Sequence, residues 1–493
     1  MRFLPPLILM LSCESALPSP AEVPGTEVSV SLSTKDDRPD ILFVVLDTAR
    51  ADRLGTYGGP NPTSPALSRL AKSGVLFEDV TSVGSWTWPS HASLFTGVPP
   101  WIHGAHFASP EDGGMQMGKD PFHASRMRED LPTLAGRLTE ADYQTYAISA
   151  NRLVSADFGL TRGFTHSAYV DTDTQVMQAA QQVISRASDD PLLLFVNLYG
   201  AHAPLEIQSV PWLEGRDELT EDGAAPWLRP FLRKEGTRIQ LMRSPSPGQR
   251  IGAFSYMRGD LKIPEDGLSL LLDVYDGELR AVDFYMGEII DAWRRERGSD
   301  AIVVVTSDHG EMLGEDQLLE HGRSVAHELI EVPLVVSAPG RWPGGQRVER
   351  PVQPHSLMQL LLHFAQIETE GGPLQEALDG VDDSGPIQAA AWRDHFWATE
   401  AGDRFDQGYR FYRVGDEAIV FGTHSGLEYY RLDSDPERNQ DLYSQFSDRA
   451  RELKALSESR FPEVEPTGPV EVPSDAIDPL QALGYIESTD DTE

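Results

Sequence analysis

Two carboxylates, three imidazoles and one hydroxyl occupy positions whose neighbours make metal chemistry a natural reading. Thr87 opens the run Thr87-Trp88-Pro89-Ser90-His91-Ala92-Ser93-Leu94-Phe95-Thr96-Gly97. Pro89 suits the first helical position and Gly97 a helix stop, so the run predicts a helix over 90–96. The Thr87 hydroxyl is then expected just ahead of a helix N-terminus, where the dipole and free N–H groups favour a tetrahedral anion. A hydroxyl so placed is an ordinary cap unless a metal or base beside it makes it a nucleophile. Asp47-Thr48 and Ser307-Asp308-His309-Gly310 each follow an apolar run. So do Asn151 and, through Tyr199-Gly200-Ala201, His202; His321 follows in Glu320-His321-Gly322. Oxygen and nitrogen donors together suit a divalent transition metal, or magnesium. The expected ligands are Asp47, Asp308, His309 and the Thr87 oxygen, with His202 and His321 facing a substrate.

Such scattered residues need a scaffold that delivers them to one edge. Short β-branched, apolar runs at 41–46, 145–149, 192–197, 302–306 and 332–336 read as buried strands. Helical patterns at 64–73, 90–96, 131–141, 173–188 and 271–295 lie between them. Strands alternating with helices predict an α/β fold with a mostly parallel sheet covered on both faces. Ligands in such sheets collect beyond the carboxyl ends of the strands, where the polar residues above fall.

A chain of 493 residues, 40% of them hydrophobic, is long enough for one large α/β domain with an appendage. Its formal net charge of −36 repels phosphate backbones, so no nucleic acid is expected as a partner. Met1-Arg2 precedes an apolar stretch over 3–12 that is too short to span a bilayer and right for a signal peptide. Cys13, the only cysteine, follows Met10-Leu11-Ser12, which resembles a bacterial lipobox. That resemblance implies cleavage before Cys13 and lipidation of its new N-terminus. An exported bacterial cell-envelope lipoprotein is expected, without disulfides and membrane-associated only through the Cys13 anchor. The stretch 14–38, rich in Ser, Pro, Glu and Val, reads as a tether. The expected division is signal peptide 1–12, tether 13–38, catalytic α/β domain 39–370 and C-terminal subdomain 371–493.

Taken in order, these segments resemble the sulfatase family of the alkaline phosphatase superfamily. Asp47-Thr48-Ala49-Arg50-Ala51-Asp52-Arg53-Leu54-Gly55 is similar to its first metal segment. Thr87-Trp88-Pro89-Ser90-His91, running on to Thr96-Gly97, is similar to its nucleophile signature, normally Cys-x-Pro-Ser-Arg or Ser-x-Pro-x-Arg. Asp308-His309-Gly310-Glu311 with Gly314-Glu315 resembles the second metal segment, and His202-Ala203-Pro204 the His-x-Pro whose His supports the leaving group. His321 falls where many relatives carry a substrate-binding Lys or His. Tyr430-Arg431-Leu432-Asp433-Ser434-Asp435-Pro436-Glu437 and Leu483-Gly484-Tyr485 resemble elements of the family's C-terminal part. The resemblance implies an alkaline-phosphatase-like mostly parallel sheet sandwiched by helices, with a small C-terminal α+β subdomain. It also implies a hydrolase of phosphoric or sulfuric esters, acting on a small molecule or glycan.

The departures shape the chemistry. Sulfatases of this family convert the signature Cys or Ser to formylglycine, and threonine gives a ketone at best. Thr87 as a metal-activated alkoxide can still form a covalent adduct that water or another acceptor resolves, as in a hydrolase or a transferase, which favours phosphorus over sulfur at the reacting centre. Phosphate monoesters, diesters and phosphonates are the expected substrates; the alternatives are a sulfate ester, or a binding lipoprotein that has lost the chemistry. Thr48 stands where calcium sulfatases carry a second Asp, and His309 replaces an amide ligand, which favours Mn or Zn over Ca or Mg. His91 replaces the signature Arg and is expected to donate to the Thr87 oxygen, while Asn151, near the place of a substrate-binding Lys, is expected to meet substrate. Leu198 occupies the position of an Asp that two-metal members require, so one divalent ion is expected. His103 and His106 read as packing or solvent-facing residues, His327 as a helix-face residue, Arg50 and Asp52 as braces, and the long connection 205–265 as a lid or an interaction surface.

Overall fold

Strand β1 (Ile41–Leu46) is buried along its whole length, and the period of two divides its side chains between two cores. Leu42, Val44 and Leu46 enter one core, and Ile41, Phe43 and Val45 the other. The structure, a computed structural model, describes residues 38–107, 124–216, 219, 223, 225–231, 238–239, 251–368, 370–381, 385–393 and 402–460. Cys13 with the leader, nearly all of the tether, most of the middle of 205–265 and Leu483-Gly484-Tyr485 lie outside the described residues.

β1 is central in an eight-stranded sheet. The other strands are β2 (Val75–Phe77), β3 (Gln144–Ser149), β4 (His166–Tyr169), β5 (Leu192–Leu198), β6 (Ile302–Thr306), β7 (Leu334–Ser337) and β8 (Gln346–Val348). Their order is β8-β2-β7-β6-β1-β5-β3-β4. Ile41 lies opposite Leu193 on one side and Ile302 on the other, both parallel. Only β7 runs antiparallel to its neighbours. The first core is roofed by α1 (Pro65–Ser73), α4 (Asp173–Arg186) and α5 (Glu265–Arg297), through Leu67, Val176, Ile184 and Leu271. The second is roofed by α2 (Thr87–Thr96), α3 (Leu134–Glu140) and α6 (Leu357–Phe364), through Phe95, Leu138 and Leu361. The doubly covered, mostly parallel sheet matches the expectation, and all five anticipated strands belong to it. β2, β4 and β8 are three or four residues long and give no periodic signal.

One boundary is corrected. α2 begins at Thr87, so Pro89 is its third residue rather than its first. A proline there sacrifices no intrahelical bond, because the first-turn N–H groups have no partner in any case. Gly97 does end the helix, in the left-handed conformation at φ 70°.

Beyond the main sheet, β9 (Ile387–Ala391), β10 (Tyr409–Val414), β11 (Glu417–Gly422) and β12 (Leu427–Arg431) form an antiparallel meander. α7 (Tyr443–Arg460) packs on it through Ala450 and Leu453 against Tyr412, Ile419 and Tyr429. The Ala390 N–H donates to the Val83 carbonyl at 3.0 Å, which ties this layer to the loop ahead of α2.

Where the two sheets meet, Asp79 pairs with Arg413 at 2.8 Å. Burial pushes both Glu328 and Glu331 up to about 7, against the pull of Arg50 on the first and Arg438 on the second. Acids raised by folding stabilise the native state below their ordinary value of 4.5, and that contribution is lost as pH climbs through about 7. Replacing Glu331 by Gln is therefore expected to flatten the fall in stability between about pH 5 and pH 8, by roughly 1–3 kcal/mol. Urea unfolding at the two pH values checks this, and parallel wild-type and variant curves contradict it.

Candidate metal centre

The carboxyl ends of β1 and β6, neighbours in the sheet, deliver Asp47 and Asp308-His309 side by side. One ligand atom from each of Asp47, Asp308 and His309 lies within 4.8 Å of the others, and all three residues are buried. The Thr87 Oγ1, in the first turn of α2, is 3.4 Å from His309 Nε2. The Asn151 Nδ2, past the end of β3, donates to Asp47 Oδ2 at 2.9 Å and to Thr87 Oγ1 at 3.3 Å. Four segments distant in sequence thus share one point.

Hydrogen-bond bookkeeping shows what that point is built to hold. Asp47 Oδ2 accepts from Asn151 and, at 3.3 Å, from Asn197, while Asp47 Oδ1 is buried with no hydrogen bond. Asp308 Oδ1 accepts the backbone N–H groups of Thr48 at 3.2 Å and His309 at 2.9 Å, while its Oδ2 is likewise buried without one. His309 Nδ1 lies 2.9 Å from the Gly310 carbonyl, which can only accept, so Nδ1 is the donor there and Nε2 is the atom turned to the carboxylates. Nε2 stands 3.3 Å from Asp308 Oδ2 and 4.0 Å from Asp47 Oδ1. Two carboxylate oxygens without hydrogen bonds, turned toward one imidazole nitrogen, are costly in a protein interior unless a positive charge joins them. The donor set fits one divalent ion.

Electrostatics agree. Burial, then the charge of Asp308, pushes the Asp47 carboxyl well up. Burial acts upward on Asp308 as well, but His309, His91 and the Thr48 N–H outweigh it and hold Asp308 low. Two carboxylates so close do not both ionise comfortably without a countercharge.

A second layer holds the first. His91 Nδ1 bonds the Thr87 backbone carbonyl at 3.1 Å, one helical turn back, and lies 3.3 Å from Asp308 Oδ2. Its Nε2 meets Asn197 Nδ2 at 3.2 Å. The expectation that His91 bonds the Thr87 hydroxyl is thereby corrected: a side chain four residues along a helix reaches the carbonyl, and Asn151 takes the hydroxyl. Asn151 spends its amide N–H groups on Asp47 and Thr87, so it positions the nucleophile candidate rather than standing free for substrate. Thr48 adopts φ 58°, a strained conformation for a β-branched residue. The Tyr275 hydroxyl from α5 holds it there, donating to the Thr48 carbonyl at 2.6 Å. The Thr48 hydroxyl turns back to the Asp47 carbonyl, away from the ligand cluster.

Arg50 ties the two ligand loops together, meeting Asp52 at 2.8 Å, Glu315 at 2.7 Å and the Glu311 carbonyl at 3.1 Å. This is the bracing role expected of Arg50 and Asp52. Gly310 is required by close approach, since a Cβ there would lie 1.8 Å from the Glu328 carbonyl oxygen. His103 is buried and bonds Ser93 at 2.8 Å, and His106 stacks on Trp392 at 4.6 Å, so both pack.

His202 and His321 line up beside the cluster: their rings are 4.8 Å apart, and His321 is 4.5 Å from His309. His202 Nδ1 donates to the Ala203 carbonyl at 2.6 Å, and Tyr199 stacks on the ring at 4.2 Å. His321 Nδ1 lies 3.0 Å from Glu311 Oε1. Burial, then His321, pushes His202 down to about 3; burial, then His309, pushes His321 well down. Both rings are therefore neutral.

Sequence reasoning assigned no role to Asn197 or Tyr275, and met Glu311 only as part of the second metal segment. Asn197 had a signal, as the one amide in the apolar strand Leu192–Leu198. Glu311 is fully buried, with Oε2 lacking a hydrogen bond. Tyr275 lies mid-helix in α5, where nothing local marks it.

A family model described as Sulfatase matches residues 39–367. The uncharacterized sulfatase YidJ of Escherichia coli strain K12 is 24% identical over 364 residues, covering 67% of this chain and 68% of the relative. Among solved structures, one holding its substrate D-glucosamine-2-N,6-O-disulfate superposes with a TM-score of 0.64 at 18% identity, over 87% of this chain and 99% of the other. The phosphonate monoester hydrolase of Silicibacter pomeroyi gives 0.60 at 19% identity, over 87% and 96%. The chain belongs to the sulfatase family, within the alkaline phosphatase superfamily, and its fold is the one these structures share. It is an ester hydrolase of that family, whose enzymes are metal-dependent, and its Asp47, Asp308 and His309 are grouped as a metal ion requires.

Proposed function

We propose that this protein hydrolyses a phosphate monoester, diester or phosphonate, with Thr87 as nucleophile and one Mn or Zn ion held by Asp47, Asp308, His309 and the Thr87 oxygen. The observation that carries the reading is the Thr87 hydroxyl lying against both Asn151 Nδ2 and His309 Nε2. A bound divalent cation supplies a lowered pKa for the Thr87 hydroxyl and countercharge for the developing oxyanion.

The chain's own residues do the rest. Asn151 donates to Oγ1 and keeps it aimed, while the free N–H groups of the first turn of α2 receive the ester's anionic oxygens. Thr87 Oγ1 forms a bond to phosphorus as the bond to the leaving oxygen breaks, giving phosphothreonine from a monoester, and from a diester or phosphonate the same adduct with the remaining ester or carbon group still on phosphorus. Water then attacks phosphorus, the Thr87 Oγ1–phosphorus bond breaks, and phosphate, a phosphate monoester or phosphonate departs. His202 and His321, both neutral, receive the attacking water's proton at Nε2. An anionic ester beside them raises their basicity, so the same rings supply a proton to the leaving oxygen in the complex.

Sulfur is the second reading, favoured by relatives such as the N-acetylglucosamine-6-O-sulfatase of Bacteroides thetaiotaomicron. Threonine argues against it, because formylglycine cannot form at position 87. Export as a Cys13-anchored lipoprotein of the cell envelope, in periplasm or at the surface, belongs to the same proposal and rests on Met10-Leu11-Ser12-Cys13. Nitrophenyl phosphate mono- and diesters, a nitrophenyl phosphonate and nitrophenyl sulfate, assayed with Mn and with Zn, test the reading. The highest kcat/KM is expected on a phosphorus ester, and a faster sulfate overturns it.

A further inference from the structure

A cavity of about 570 Å³ opens at the carboxyl ends of β3 to β5, with His202 in its wall. It therefore adjoins the ligand cluster through His202 and His321. Asp171, Asp173, Glu206 and Glu278 also line it, with the rings of Tyr199 and Tyr285, and no Lys or Arg does so among the described residues.

Glu278 is the unusual member. It projects from α5 and is 3% exposed. Its Oε1 accepts the Glu206 N–H and, at 3.4 Å, the Gln208 amide. No described residue donates to its Oε2, and none pairs with it as a cation. Burial pushes Glu278 well up, as an uncompensated interior carboxylate should be. Asp173 differs, since both its oxygens are taken by the N–H groups of Tyr199 at 2.7 Å and Gly200 at 2.8 Å. The open Glu278 oxygen offers a divalent cation one strong ligand, where the Asp47, Asp308 and His309 cluster offers three. An anion is repelled, and a neutral group leaves Glu278 in the protonated form that burial favours. A single positive charge between aromatic faces completes the site.

We propose that this cavity binds a cationic amine carried by the organic part of the ester, with Glu278 as counter-ion and Tyr199 and Tyr285 as aromatic walls. The proposal rests on the reading of His202 as a residue that faces substrate, and it deepens that reading by naming a substrate class: esters of amino alcohols or amino sugars.

The test is calorimetric binding to the full-length, metal-loaded protein. Choline is compared with its neutral carbon isostere 3,3-dimethylbutanol, and ethanolamine with propanol; the better amine tells a quaternary from a primary source. At least one amine is expected to bind roughly tenfold more tightly than its neutral twin. In Glu278→Gln that preference falls to within about twofold. Should that variant not fold, Tyr285→Leu serves, with loss of preference expected for the quaternary amine. Equal binding of both twins to the wild type overturns the proposal, as does a preference unchanged in folded Glu278→Gln. Nitrophenyl ester turnover, measured in parallel, separates the two ideas: amine preference without any turnover sinks the catalytic reading alone.

Discussion

Thr87→Ala is expected to lose ester turnover by a factor on the order of 10³ or more, while still binding one divalent ion per chain. The expectation follows from what the hydroxyl touches. Its oxygen meets Asn151 and His309, and the remaining ligand atoms come from Asp47, Asp308 and His309 themselves. Removing one methyl and one hydroxyl at the start of α2 leaves those three in place and takes away only the atom that attacks. Thr87→Ser keeps the oxygen and is expected to stay within about tenfold of the wild type. Rapid quench of the wild type with a slow diester should trap the phosphoryl group, with its remaining ester substituent, on Thr87, detectable by peptide mass spectrometry. Full activity in the alanine variant would refute the nucleophile assignment.

Chelation is the second large effect. Stripping the cation should abolish turnover by at least about 10²-fold and lower the melting temperature, because ligand binding stabilises the native state by mass action, about 4 kcal/mol at a thousandfold excess over Kd. Readdition of Mn or Zn should restore both. Asp308→Asn exchanges a carboxylate for a side chain without negative charge, at an oxygen that makes no hydrogen bond of good geometry in the protein. Metal content in that variant is expected to fall from one per chain to near zero, measured by inductively coupled plasma spectrometry after desalting. The melting temperature should then no longer respond to chelator. A variant that keeps its ion and its chelator response would show that the cluster is not the metal site.

The amino-acid sequence alone determined the scaffold and which polar residues gather at its edge. Apolar runs such as Ile41–Leu46 and Ile302–Thr306 can only be strands buried on both faces, and the polar residues that end them must share the carboxyl edge of a parallel sheet. Local chemistry sufficed there, because period, burial and turn residues act over a few positions. What the tertiary structure alone decided is the orientation of each polar atom. That His91 bonds a backbone carbonyl depends on the pitch of α2. That Asn151 reaches Thr87 depends on how β3 sits two strands from β1. That Tyr275 props the strained Thr48 depends on α5 crossing the first core 227 residues away. The start of α2 at Thr87 belongs with these: the free N–H groups of a first turn allow proline at either place, and packing chose between them. Hydrogen-bond direction and tautomer are set by partners distant in the chain, and no local pattern encodes a distant partner.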